Sequence, residues 1–345
     1  MGRGRAAGSR GRVIPVLTQD ESWKGNRRNS RTSAVWMAGV ALLGTLCAAP
    51  LCAQAQSGLP SAPRQMKVRV NLVGVITSVL DSSGNPVTDL PRQSFRLYED
   101  GRRQQIDLFE RQTNLPLDLA LMIDTSLSTY NDMKFEREAA EGFVHQVLRP
   151  GDRMAVFSFA YHVHQLSPFT SNESTLDRAL RRLRSGTGTS LFDAIYLGSH
   201  ALATGPPNHR RVLLLVTDAG ETTSRTTYDQ ARDAAVRAGA MLYTILIRAI
   251  QSDVGRNTAG EHAIDTIIDA TGGAMYPVET PRQFVPTFGR INEELRTQYL
   301  LGYYPVPAPS PGSYHTIQVR LVGPAPAASY SLFYRKGYYA PEGVQ

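Results

Sequence analysis

The stretch Leu117-Asp-Leu-Ala-Leu-Met-Ile-Asp124-Thr-Ser-Leu-Ser128 decides the fold. Its residues up to Ile123 are apolar save for Asp118 and do not alternate in polarity, which predicts a strand buried on both faces. At the carboxyl end of that strand stand Asp124, Ser126 and Ser128, oxygen donors of the kind that suit a hard cation. In an open α/β sheet, ligands bind beyond the carboxyl ends of the strands. One stretch therefore predicts a sheet and the place on it where a ligand would sit.

Similar apolar runs follow at Met154 to Phe159, Val212 to Val216, Met241 to Ile247 and Ala274 to Val278. Helical patterns lie between and after them, at Asp132 to Leu148, Ser174 to Leu183, Leu191 to Ala203, Tyr228 to Ala238, Glu261 to Ala270 and Pro281 to Leu295. Pro150-Gly151, Gly205-Pro206 and Gly272-Gly273 read as helix stops. Strands alternating with helices predict a doubly wound, mostly parallel α/β sheet of the Rossmann-like kind. Val163 to Phe169 follows its predecessor too closely for a crossover and is expected as an antiparallel edge strand.

Both flanks of this region read as β structure. Upstream, Lys67 to Leu80, Phe95 to Tyr98 and Gln105 to Phe109 are strand candidates, with turns at Asp81 to Pro86 and Glu99-Asp100-Gly101. Downstream, Tyr299 to Tyr304, His315 to Val322 and Ser329 to Lys336 follow suit, with Pro305 to Pro311 as a stiff connector. The expectation is an N-terminal β module over 56–112, an α/β domain over 115–297, and a C-terminal β segment over 298–345 that packs with the first module. The α/β domain would then be an insertion between two halves of one small β unit.

The 345 residues carry a formal charge of +7, which invites a nucleic-acid reading. Residues 1–55, however, hold eight basic and two acidic residues, six of the seven net positive charges. That segment has a basic start, an apolar stretch from Ala34 to Leu51 and small residues at Ala53-Gln54-Ala55, the parts of a secretory signal. An uncleaved membrane anchor is the alternative, and both readings place residues 56–345 outside the cytoplasm. A nucleic-acid partner is therefore not expected. Cys47 and Cys52, the two cysteines of the chain, both fall in the leader, so no disulfide, thiol nucleophile or cysteine metal site is expected beyond it.

Oxygen donors recur at two more loops of the expected sheet. Thr189 lies in Ser185-Gly-Thr-Gly-Thr-Ser190, just before a helix, and Asp218 closes the strand that ends at Thr217. This D-x-S-x-S, then Thr, then Asp arrangement resembles the metal-ion-dependent adhesion site of von Willebrand factor type A domains. Gly188-Thr-Ser-Leu-Phe-Asp-Ala194, Phe95-Arg-Leu-Tyr-Glu-Asp-Gly101 and Arg335-Lys-Gly-Tyr-Tyr-Ala-Pro341 look like the exported bacterial branch of that family. The resemblance implies that Ser126 and Ser128 bind a divalent cation directly, and that Asp124, Thr189 and Asp218 bind directly or through water. Few direct carboxylates and several hydroxyls suit Mg²⁺, with Mn²⁺ or Ca²⁺ as alternatives, and leave a coordination position for an acidic residue of a partner protein.

Enzyme signatures are missing where they would be needed. Asp124-Thr-Ser126 lacks the second acidic residue of a phosphatase D-x-D, no lysine follows the glycines of Gly186-Thr-Gly188 as in a P-loop, and no G-x-S-x-G elbow occurs. His162-Val-His164 has a metal-binding spacing without a third ligand in sight, and reads as an exposed strand end. Arg178, Arg181, Arg182 and Arg184 read as the solvated face of one short helix, with contact to an acidic partner as the alternative, Glu221 as a solvated loop charge, and Asp193 as a brace for the threonine loop. The tyrosines of the last fifty residues read as strand packing. The function expected is an exported, metal-dependent protein-binding module and not an enzyme. Its alternatives are a structural subunit of an envelope complex whose cation serves folding and, behind that, a metal-dependent hydrolase.

Overall fold

The computed structural model describes residues 72–127, 133–248, 257–323 and 330–342. The expected leader lies outside the described residues, and among those that are described no helix is long and apolar enough to cross a membrane.

The chain enters through four short strands, β1 (Val73–Asp81), β2 (Phe95–Glu99), β3 (Arg102–Gln104) and β4 (Leu108–Glu110). The strand expected from Gln105 to Phe109 is displaced. The chain leaves one sheet after Gln104 and joins another at Leu108, with Ile106 buried at the crossing.

The central region then alternates as its apolar runs require. It runs β5 (Leu117–Asp124), α1 (Met133–Val147), β6 (Arg153–Phe159), β7 (Val163–Gln165), α2 (Glu173–Leu180), α3 (Leu191–Ala203) and β8 (Arg210–Thr217). After these come α4 (Tyr228–Ala238), β9 (Ala240–Ile247), α5 (Thr258–Thr271), β10 (Met275–Val278) and α6 (Phe284–Thr297). These strands form one sheet in the order β10-β9-β8-β5-β6-β7, parallel except for β7, which pairs antiparallel with β6 at the edge. All eight residues of β5 are buried, as a middle strand covered on both sides must be. Its Leu117, Leu119, Leu121 and Ile123 face a core closed by Phe143 of α1, Leu176 of α2 and Phe288 of α6. Ala120 and Met122 face the opposite core, closed by Ile195 of α3, Ala235 of α4 and Ile267 of α5. Period-2 side-chain alternation thus splits one apolar strand between two layers of helices.

The chain closes with β11 (Tyr299–Tyr303), β12 (Tyr314–Leu321), β13 (Tyr330–Tyr334) and β14 (Gly337–Tyr339). These interleave with the first strands in two antiparallel sheets, β13-β1-β11-β4 and β14-β12-β2-β3. Val75, Phe95, Tyr299, Tyr303, Ile317 and Tyr338 come from both sheets and share one core, so the α/β sheet is inserted into a β unit built from both flanks. Burial of Tyr299, Tyr303, Tyr334 and Tyr338 there agrees with the packing role read from their pattern.

Entry to and exit from the insertion lie side by side at the amino ends of the central strands. Thr113 N donates to Gln298 O, and the buried Arg210 donates to the side chain of Gln298 at 2.8 Å and to Leu295 O at 2.6 Å. Gln298 Nε2 donates in turn to Ser78 of β1 and to Tyr243 of β9. A buried polar network therefore ties the β unit to this end of the sheet, and the carboxyl ends point the other way.

Candidate metal centre

Asp124 is the last residue of β5 and is completely buried. Its Oδ1 accepts from Ser126 N at 2.9 Å, the turn that carries the chain off the strand, and its Oδ2 accepts from Thr217 Oγ1 at 2.6 Å across the neighbouring strand end. Thr125 fastens the same turn to β6, donating to Phe159 O through its amide at 2.8 Å, while its own carbonyl accepts from Gly186 N at 2.8 Å. Ser126 is buried beside Asp124, and Ser128 lies outside the described residues.

Thr189 and Asp218 approach from two other loops. Thr189 is held by Thr222, whose Oγ1 accepts from the Thr189 amide at 2.8 Å and whose amide donates to the Thr189 carbonyl at 2.9 Å. Asp218 is half-buried, and its Oδ1 accepts from Gly220 N at 2.9 Å. A Cβ on Gly220 would stand 3.1 Å from Asp218 Oδ1 and 3.3 Å from Thr189 Oγ1. Both oxygens thus face one small space that any larger residue would begin to fill. Close approach recurs behind it, where a Cβ on Gly260 of α5 would meet Ala219 O at 1.9 Å, so glycine there lets the helix back the Asp218 loop.

The electrostatics of this end favour a cation. Burial pushes the Asp124 carboxyl up to about 6; hydrogen bonds from Thr217 and Ser126 act against that, and the nearby charge of Asp218 adds to it. Asp218 has no basic partner among the described residues. Two carboxylates, two hydroxyls and no nitrogen or sulfur make a donor set that fits a hard divalent ion such as Mg²⁺, Mn²⁺ or Ca²⁺.

Sequence reasoning missed the parts that hold the loops. Thr217 reads as a strand residue, yet its hydroxyl donates to Asp124 and accepts from Ala219 N at 3.1 Å. Asn257 Nδ2 reaches the Asp218 carbonyl at 3.3 Å. Glu221, expected as a solvated charge, accepts from the Phe192 amide at 3.1 Å and from Thr223 N and Ser224 N, and so caps the first turn of α3. Ser190, the residue before α3, spends its hydroxyl on Tyr161 O instead. Asp193 braces the Asp218 loop, accepting from Arg225 N and Thr226 N, and not the threonine loop in which it was expected to act. The signal for these contacts was the run Glu221-Thr-Thr-Ser224, polar and capable of capping, directly after a strand end.

Residues 119–221 match the von Willebrand factor type A domain. That segment contains all five residues expected to hold the cation. Solved structures similar to the chain include a von Willebrand factor type A protein from Catenulispora acidiphila, 13% identical over 79% of this chain and 74% of that one, with a TM-score of 0.47. The tip protein Mfa5 of type V pili from Porphyromonas gingivalis is 14% identical over 52% of this chain and 95% of its domain, with a TM-score of 0.43. Proximal thread matrix protein 1 of mussel byssus, solved with a zinc-occupied adhesion-site motif, is 14% identical over 53% of this chain and 48% of its own, with a TM-score of 0.43. No curated protein matches significantly. The segment that matches the von Willebrand factor type A domain carries the candidate centre at the carboxyl ends of β5 and β8, the end remote from the β unit.

Proposed function

We propose that the protein is an exported, metal-dependent protein-binding module and that it carries out no turnover. The observation that carries this reading is the meeting of Asp218 Oδ1 and Thr189 Oγ1 over the bare Gly220, next to the buried Asp124–Ser126 turn. Asp124, Ser126, Ser128, Thr189 and Asp218 would hold a divalent cation, with Mg²⁺ the expected ion. Bound there, the cation supplies a Lewis-acidic point to which a partner's carboxylate can coordinate. The chain's own residues do the rest: Thr217 and Thr222 fix the ligand loops, and Glu221 and Asp193 tie the threonine loop's helix to the Asp218 loop.

The donor set of carboxylates and hydroxyls is what reversible coordination of a hard cation needs. Export rests on the leader: a basic segment, an apolar stretch and a small-residue cleavage pattern. The test is capture of partners from an envelope extract with and without Mg²⁺, using the parent chain and Asp218→Ala. Partners held by the parent only with Mg²⁺, and lost from Asp218→Ala, are the expected result. If Asp218→Ala retains every partner while its melting point falls, the cation serves folding and the adhesive reading is wrong.

A further inference from the structure

Two motifs that read separately as solvated surface meet beside the candidate metal centre. Helix α2 ends at Leu180, so the arginine cluster does not share one helical face. Arg178 donates to Thr175 on its own helix and Arg181 reaches Glu141 at 3.8 Å, while Arg182 and Arg184 lie beyond the helix end. There they line a groove of about 460 Å³ together with His162 and His164 of the edge hairpin. The groove floor includes Thr125, between Asp124 and Ser126, and Gly186, whose amide is bonded to the Thr125 carbonyl. It is continuous with the metal loops.

The lining is one-sided in charge. Two arginines and two histidines face the groove, no acidic side chain does, and neither Arg182 nor Arg184 has a carboxylate partner among the described residues. Arg184 turns one guanidinium nitrogen onto the Leu183 and Arg181 carbonyls, which holds the side chain in place with its other nitrogens available. Tyr161, 51% exposed, adds an apolar wall with its ring edge-on to His162. A guanidinium binds a carboxylate through two parallel hydrogen bonds, and a volume of this size is that of an ordinary ligand site.

We propose that this groove takes an acidic stretch of the partner protein, whose carboxylates lie on Arg182 and Arg184 while a neighbouring carboxylate reaches the cation. The inference rests on the metal-binding reading and adds a second, metal-independent anchor to it. A nucleic-acid backbone fits less well, because a continuous phosphate track needs a longer basic stripe and the chain beyond the leader is nearly neutral. Like the dication, the groove attracts carboxylates, so the two sites would select partners with clustered acidic residues and speed their encounter.

The test uses the full chain and a fluorescein-labelled hexaglutamate peptide, with hexaglutamine as its neutral control. Anisotropy is read at low salt with and without Mg²⁺, and Mn²⁺ binding is followed in parallel by electron paramagnetic resonance. The double reversal Arg182→Glu/Arg184→Glu should weaken hexaglutamate binding by about tenfold or more and flatten its salt dependence, with Mn²⁺ binding unchanged. The pair Arg182→Lys/Arg184→Lys keeps the charge but loses the bidentate fork, so it should bind more weakly than the parent and more tightly than the charge-reversed protein, which separates charge from misfolding. Hexaglutamate affinity within about twofold of the parent in the charge-reversed protein overturns the groove and leaves the metal site standing. So does equal binding of hexaglutamine. Tighter arginine-dependent binding of a DNA oligonucleotide or of anionic phosphatidylglycerol vesicles would overturn it in favour of those partners. Arginine-dependent hexaglutamate capture without any Mn²⁺ binding would retire the metal reading and keep the groove.

Discussion

The two ends of the central sheet bury carboxylates equally deeply and treat them in opposite ways. At the base, Asp118 and Asp152 are 1% and 2% exposed, and at the rim Asp124 is 0% exposed. Asp118 receives Arg153 Nε at 2.9 Å and His209 Nδ1 at 2.8 Å, and Asp152 receives Arg296 together with the amides of Leu117 and Arg149. The chain supplies its own counter-charges there. At the rim Asp124 accepts from the hydroxyls of Thr217 and Ser126 and from the Ser126 amide, burial raises its pKa, and Asp218 adds a second negative charge nearby. The difference teaches that the base is finished as an internal ionic joint, whereas at the rim Asp218 stands near Asp124 with no basic partner of its own among the described residues, an arrangement the proposed cation would balance.

The comparison breaks first at the base. Asp152→Ala would strand the mostly buried Arg296 guanidinium and unpair the amides of Leu117 and Arg149, so we expect a loss of roughly 3–5 kcal/mol. Urea unfolding should give the same loss with and without Mg²⁺, because the base joint has no metal-dependent part. A loss that Mg²⁺ repairs would mean that the two ends are not independent.

At the rim the sign should reverse. Asp124→Asn keeps an oxygen for the Ser126 amide, and the Thr217 hydroxyl can accept from the new amide where it formerly donated. Stability without metal should therefore hold or rise at neutral pH, while affinity for Mg²⁺ falls about a hundredfold, equivalent to roughly 2.7 kcal/mol. Calorimetric titration and paired thermal melts measure the two quantities. Destabilisation without metal, of the size seen at the base, would make Asp124 a structural residue.

How much of this contrast could be read in the sequence depends on the range of the interactions. Four strands were legible because their apolar runs state their own burial, whereas Ala274 to Val278 forms the edge strand β10, where of Met275–Val278 only Val278 is buried; Leu191–Ala203 and Tyr228–Ala238 were legible to the residue from helical period and stops. Asp124 and Asp218 could be picked out because a strand end is a local landmark, and Thr189 because it stands just before the start of α3. The contacts that hold the ligand loops were not legible, since Thr217 to Asp124 spans 93 positions and Glu221 to Phe192 spans 29. Gln105 to Phe109 misled because its alternation persists while the backbone changes sheets, and periodicity does not report a change of partner.

A milder test uses pH. Asp124 titrates near 3.8 when unfolded and near 6 when folded, so between these values the folded chain binds more protons and its metal-free stability falls as pH rises. The fall should amount to a few kcal/mol at most, fully developed above about pH 6. Excess Mg²⁺ competes with the proton and should reverse the slope. Melting curves between pH 4 and pH 7, with and without Mg²⁺, check both signs over that range of about three units. A metal-free slope that rises with pH would show that the rim is neutralised internally, like the base.

The smallest expected effect asks whether the rim is one site or three adjoining loops. Glu221 caps α3 from the Asp218 loop, and Asp193 of α3 reaches back to the amides of Arg225 and Thr226, so each loop supplies a carboxylate that the other needs. Removing one such cap in Glu221→Ala should cost about 1 kcal/mol of stability. Because Thr189 stands two residues before α3, the same change should also loosen its position relative to Asp218 and lower Mg²⁺ affinity by roughly tenfold, as loss of an outer support to a ligand does. Calorimetric titration of Glu221→Ala, beside a melt that registers the lost cap, separates the two effects. Unchanged affinity in a measurably less stable protein would mean that Thr189 is held by Thr222 alone and that the loops assemble independently. A fall in affinity would make these reciprocal carboxylates the counterpart at the rim of the arginine joint at the base: one end closed by opposite charges, the other held by Glu221 and Asp193 through backbone amides and the Ser224 hydroxyl.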